Sequence, residues 1–383
     1  MLGKPLFAEF RPLSPKEEMA RNELCWCQSG RKWKSCHRDR HLKVRLPDAA
    51  LQAEIAKQAK LELCMHPEAP QNCTLGSIRA HTVQKATALR AIAERGHVLS
   101  GRDSRPGKRN EFRLESVGVN KASTFRGFCS HHDQSTFKEA DTALRVSENI
   151  CFLLGYRALA YELYMKIISV PVLTMYREYI DAGMSFSAQV EVQQHIHGQL
   201  YTSRLAVDEH SRLKGGWDRA LITGDRSELS WASYRFEGVL PVVTSGAFYP
   251  EIDFSGQRLQ ALDAPIGHLG LLTFSVVPID GGTHAIFAWL DRKPQNSQFV
   301  DSLTGISPLQ MSSTLVQFCF DTSDNIFVRP SWWQALEPKY KKSLSDLLAN
   351  STPGDKNPRG LQLITDQLAP VRFLGVTRSD SPL

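Results

Sequence analysis

Residues 271–290 read LLTFSVVPIDGGTHAIFAWL. Two apolar runs flank Asp280-Gly281-Gly282, a hairpin signal because glycine and aspartate accept the positive φ that tight antiparallel turns need. The alternation through residues 283–289 suits a half-buried antiparallel strand. Moving outward, residues 231–237 and 239–245 are further β-type runs, and residues 219–223 a shorter one. A helix over 309–320 follows, then a segment over 324–333 that leads into another helix and carries Trp332 and Trp333 as core anchors. The expectation is a β-rich α+β domain over 215–350, followed by a polar, Pro-rich tail over 351–383.

Upstream, residues 141–213 read as a helical hairpin. Leu144, Ile150, Leu153, Leu154, Leu159, Leu163, Tyr164 and Ile167 keep one apolar face, and Glu162 and Lys166 form an i,i+4 pair. Pro171 is expected to end the first helix; the second starts near Leu173 and runs beyond Leu200, with Gly183 and Gly198 as weak points. His195 and His197 are two apart, so they do not share a helix face as a metal pair. The apolar run over 150–172 is interrupted by Arg157, Glu162 and Lys166, and residues 1–15 show no secretory pattern. A cytosolic protein, not one of a membrane, is expected.

The chain has 383 residues, 42% hydrophobic and 22% charged, which excludes a mostly disordered or collagen-like chain and leaves room for two or three modules. Neither Gly-rich phosphate-loop pattern nor a Gly-x-Ser-x-Gly elbow occurs, which disfavours nucleotide hydrolysis and α/β-hydrolase chemistry. Cys151 and Cys319, in apolar helical surroundings, read as core residues. The net charge is +6, and residues 1–45, with eleven basic against five acidic side chains, carry all of it. A nucleic acid or an acidic protein face is the partner such a segment suits.

Five of the eight cysteines lie before residue 74. In a reducing compartment, clustered cysteines beside histidine suggest metal rather than disulfides. Residues 25–37, CWCQSGRKWKSCH, supply three thiolates and one imidazole (Cys25, Cys27, Cys36, His37), a set that closes a tetrahedral structural Zn2+ site and leaves no open position. The stretch resembles the SEC-C motif, the small zinc-binding tail of the bacterial preprotein translocase ATPase. The likeness rests on Cys25, Cys27, Ser29, Gly30, Arg31, Lys32, Trp33, Lys34, Cys36 and His37. Trp26 stands where the pattern usually has proline, and the motif is amino-terminal here. By resemblance such a module (1–48) binds a chaperone or the ribosome. Arg31, Lys32 and Lys34 with exposed faces of Trp26 and Trp33 would suit nucleic acid or an acidic protein; alternatively, the tryptophans pack over the zinc turn.

After a helix over 51–63, a second Cys/His set spans the central region, 51–140. Cys64 and Cys73 flank a Pro-containing loop, residues 77–83 read as a β segment, and residues 125–133, FRGFCSHHD, enter a helix. Cys64, Cys73, Cys129 and His132 can close a second zinc site, leaving His81 and Asp133 for chemistry. The layout is similar to HNH, or ββα-metal, nucleases. That likeness implies His81 as general base, Asp133 or His131 on a catalytic Mg2+ or Mn2+, and Arg79 or Lys85 opposite the phosphorane. Cys64 and Cys73 stand farther apart than the pattern's knuckle, and Asn120 is an uneven match to its central asparagine. A helix over 82–95 capped at Gly96 and a mobile basic loop over 100–113 complete the region. Two readings follow for this bacterial-type chain: a zinc-binding protein of SEC-C type with metal-dependent nuclease activity, or a non-enzymatic zinc-dependent adaptor.

Overall fold

The computed structural model describes residues 10–102, 113–262, 267–349, 371 and 375–381. The helices are α1 (Asp48–Gln58), α2 (Arg90–Ile92), α3 (Ser130–Asp141), α4 (Glu148–Tyr179), α5 (Phe186–Thr223), α6 (Pro294–Ser302), α7 (Pro308–Thr322), α8 (Pro330–Ala335) and α9 (Pro338–Ala349). The strands are β1 (Ile78–His81), β2 (His97–Arg102), β3 (Arg113–Gly118), β4 (Thr124–Phe128), β5 (Ser230–Phe236), β6 (Val242–Phe248), β7 (Leu272–Ile279), β8 (Gly282–Trp289), β9 (Ile326–Val328) and β10 (Val376–Asp380). The fold is α+β. The chain forms two units, one of residues 1–61 and 163–212, the other of residues 62–162 and 213–383.

The larger unit is built on an antiparallel sheet of eight strands in the order β10-β5-β8-β7-β6-β9-β2-β3. Asp280 and Gly281 take φ of 51° and 68°, so the turn quoted first is a two-residue hairpin joining β7 to β8. Phe274, Val276, Ala285 and Phe287 point to one face and pack on Phe299 of α6, Phe318 of α7 and Leu344 of α9. Thr273 lies on the other face, so close to Gly155 of α4 that a Cβ there would stand 2.7 Å from Thr273 Oγ1. Helices on both faces bury every residue of β7 and β8, where the alternating pattern predicted a half-buried strand.

Several elements differ from the sequence reading. Residues 219–223 are the last turn of α5, not a strand: Trp217 and Ala220 are buried on the helical period, and Gly224 at φ 72° ends the helix. Pro171 lies inside α4, because the apolar stripe continues across it and packing outweighs one lost backbone hydrogen bond. The break falls at residues 180–185, with Gly183 at φ 77°. The helix expected over 82–95 is reduced to a π-turn, Lys85–Leu89, and α2, since Thr82 and Val83 are tied to Ser123 by hydrogen bonds of 2.9 Å from their backbone N–H groups. Residues 97–102 and 113–118 are sheet strands, and the rest of the expected 100–113 loop, like most of the 351–383 tail, lies outside the described residues.

By length and composition alone, α4 is apolar enough to cross a membrane. Its residues 150–160 are all buried within the larger unit, and Arg157, 1% exposed, pairs with Asp141 at 2.7 and 3.1 Å above the Phe137 ring.

On β8, His284 is 7% exposed and shares a 2.9 Å hydrogen bond with Ser233 through Nδ1. Burial, with Arg235 nearby, pushes its pKa down from 6.5 to about 4, against the weaker pull of Asp280. The unfolded chain therefore binds the extra proton between those two values, and the stabilisation present above pH 6.5 is lost as pH falls toward 4. The loss approaches about 3 kcal/mol. A His284→Asn chain, whose Oδ1 replaces Nδ1, should show a flatter dependence of urea midpoint on pH across that window. Parallel profiles would refute the assignment.

Candidate metal centres

In the smaller unit, a bridge between Leu24 and Lys32 and a hydrogen bond of 2.9 Å from Cys25 N–H to Arg31 O fold residues 24–32 back on themselves. Gln28 at φ 55° and Gly30 at φ 76° make the reversal, and the 3₁₀ turn Trp33–Ser35 delivers Cys36 and His37 beside Cys25 and Cys27. His37 Nδ1 lies 3.3 Å from Cys25 Sγ and 3.2 Å from Cys36 Sγ, and Cys27 Sγ is 3.6 Å from Cys36 Sγ. A zinc ion at ordinary Zn–S and Zn–N lengths spaces tetrahedral donors by about 3.5–3.8 Å, so these residues fit one. The four are 3%, 0%, 6% and 5% exposed.

The imidazole is oriented from behind. His37 Nε2–H donates to Asp181 Oδ2 at 3.0 Å, which leaves Nδ1 for the metal. Asp181 is fully buried and also accepts from Arg40 Nε and Gln193 Nε2, both at 2.7 Å. Burial alone would raise its pKa, but His37, Arg40 and Gln193 hold it below the usual carboxylate range. Trp26 is 5% exposed, with its ring 4.7 Å from His37 and edge-on to Phe186, and Trp33 is half-buried against the same cluster. Trp26 thus packs inward rather than offering an exposed face, while Trp33 keeps part of its surface in solvent. Arg40, counted in the basic segment, is a buried ion-pair partner.

In the larger unit, Met65 N–H donates to Gly127 O at 2.8 Å and seats the loop between Cys64 and Cys73 beside β4. Cys129 caps α3, its sulfur accepting from His132 N–H at 3.5 Å. His132 Nδ1 is 3.4 Å from Cys64 Sγ, 3.5 Å from Cys73 Sγ and 3.4 Å from Cys129 Sγ. Cys129 and His132 are each 1% exposed, whereas Cys64 and Cys73 are half-buried. His132 Nε2 is buried without a hydrogen-bond partner, and its ring stacks on His66 at 4.0 Å and 7°. His66, Glu68 and His132 also bring donor atoms within 4.8 Å. The parallel rings keep their nitrogen lone pairs from converging on one ion. The loop is held by Lys214, whose buried ammonium donates to Met65 O at 2.5 Å, Asp218 Oδ1 at 2.6 Å and Tyr156 Oη at 3.0 Å.

His81, Asp133 and His131 join none of the metal-capable groups among the described residues. His81 Nε2 is bonded to Val119 O at 3.2 Å. Asp133 is a half-buried carboxyl whose pKa is raised by desolvation, near Arg157 and Asp141, and His131 is exposed. Arg79 is exposed and Lys85 half-buried. The His197 ring is held by Arg11 O at 2.8 Å, and His195 is exposed. Sequence reasoning missed Asp181, Gln193 and Lys214; no local signal marks them, beyond the position of Asp181 at the interhelical break.

Residues 21–39 match the SEC-C motif family model. No curated protein and no solved structure matches the chain. Fold and donor sets together give an α+β protein that carries an amino-terminal SEC-C motif and two Cys3His sets able to hold a metal, consistent with zinc. The HNH likeness has no support among these comparisons.

Proposed function

We propose that the chain is a non-catalytic, cytosolic adaptor in which zinc folds the amino-terminal module into a docking surface for an acidic protein partner. One observation carries this reading. With the zinc donors and Trp26 inside, the module exposes aliphatic Leu24, Leu42 and Val44, 65%, 72% and 92% accessible, among exposed Arg21, Lys32, Lys34, Arg38, Lys43 and Arg45. Nucleic acid would be served by aromatic rings free to stack, whereas exposed aliphatic side chains between cations suit an acidic surface with apolar residues of its own.

Fluorescence anisotropy of the full chain with acidic amphipathic peptides and with single-stranded RNA and DNA of equal length tests this. The peptides should bind, with an affinity that falls as salt rises and about tenfold or more upon Lys32→Glu with Lys34→Glu. Tighter binding of oligonucleotides would overturn the partner class. Cleavage of nucleic acid with Mg2+ or Mn2+, lost in His81→Ala, would overturn the non-catalytic reading and restore the nuclease one.

A further inference from the structure

The two quartets share one donor set but differ in protection, and this difference points to chemistry. In the first, all three thiols are nearly inaccessible and the histidine is locked by the Asp181–Arg40–Gln193 network. In the second, the buried Cys129 sulfur accepts a backbone N–H at the start of α3, which withdraws electron density from it. Cys64 and Cys73 stand half-buried at the two ends of a loop. Their sulfurs lie within 4.8 Å of each other, and His132 has no carboxylate behind it: its Nε2 is buried and unpartnered.

We infer that the Cys64/Cys73/Cys129/His132 quartet is a reactive zinc-thiolate centre, at which hydroperoxides oxidise Cys64 and Cys73 to a disulfide and expel the metal, while the SEC-C quartet stays intact. One half-buried thiolate attacks the distal oxygen of the peroxide O–O bond, giving a sulfenic acid and releasing RO−, which is protonated to ROH. The second thiolate attacks the sulfenic sulfur, forming the S–S bond and releasing hydroxide, which is protonated to water. Two thiolates, one hydroperoxide (ROOH) and two protons thus give one disulfide, one ROH and one water; the peroxide is reduced by the two electrons the sulfurs lose. Cys129 and His132 alone are too few donors to retain Zn2+, which leaves. Freed zinc and an altered 64–73 loop, released from its role beside β4, are the products.

This rests on zinc occupying the second quartet, and the test separates that premise from the inference. Full-length protein is analysed for zinc per chain, treated with hydrogen peroxide while a chromogenic chelator follows release, and then mapped by peptide mass spectrometry. Two zincs per chain are expected. One equivalent should be released before any of the other, with Cys64 joined to Cys73 and with Cys25, Cys27 and Cys36 still reduced. Reductant plus Zn2+ should restore the count of two. A Cys73→Ser chain should hold one firmly bound zinc and lack the early release. One zinc per chain in fresh wild-type protein overturns the premise. Two zincs with no release, with simultaneous release, or with a disulfide among Cys25, Cys27 and Cys36 overturn the inference itself.

Discussion

Cys27→Ser removes the zinc of the first quartet and unfolds the amino-terminal module while the large sheet stays folded. The module's cluster of buried side chains is Leu13, Cys25, Trp26, Cys27 and Cys36, three of them metal ligands. Leu13 and Trp26 contribute about 2–3 kcal/mol each by burial, against about 1–2 kcal/mol of chain entropy for every residue ordered. Metal binding, worth about 10–16 kcal/mol in small zinc modules, must make up the difference. The sheet core of Phe274, Phe287, Phe299 and Phe318 belongs to the other unit and owes nothing to that ion. Elemental analysis should show one zinc fewer, and hydrogen exchange should show protection lost over 21–39 and kept over 272–289. Unchanged protection over 21–39 in the zinc-depleted variant would refute the dependence.

Asp181→Ala should produce the second largest effect, through groups it leaves behind. Arg40, 3% exposed, would keep a buried charge without its partner, a situation that costs about 3–5 kcal/mol. His37 would lose the acceptor that fixes Nδ1 toward the thiolates, which weakens metal affinity about 10–100-fold. Asp181→Asn keeps a single acceptor oxygen, which can serve His37 Nε2–H or Arg40 Nε–H but not both, so it should retain part of the zinc affinity or part of the stability and not the two together. Adding Arg40→Ala to Asp181→Ala removes the stranded charge and should recover part of the stability without recovering zinc affinity. Chelator competition and urea unfolding read the two quantities separately. Zinc affinity equal to wild type in Asp181→Ala would show that the buried carboxylate serves the fold alone.

Where sequence and structure agree, the information is local. The Cys-x-Cys and Cys-His spacings, the Ser29-Gly30 reversal and the Asp280-Gly281 hairpin each depend on a few neighbouring residues, whose turn chemistry is legible in the chain itself. Departures arise where distant elements decide. Pro171 sits in an uninterrupted helix, and residues 97–102 and 113–118 extend the large sheet, both because packing outweighs local preference. His81, His131 and Asp133 carry residue types suited to hydrolysis, yet the structure brings them into no common metal-capable group among the described residues.

The chain by itself determined the donor chemistry: two sets of three cysteines and one histidine, an antiparallel hairpin and a helical middle. Only the tertiary structure decided how protected each set is. Asp181 stands 144 positions from His37, and Lys214 stands 149 positions from Met65. Such partners are chosen by burial, because a charge taken out of water must find its counterpart wherever the fold brings one, and short-range sequence pattern carries no record of that choice.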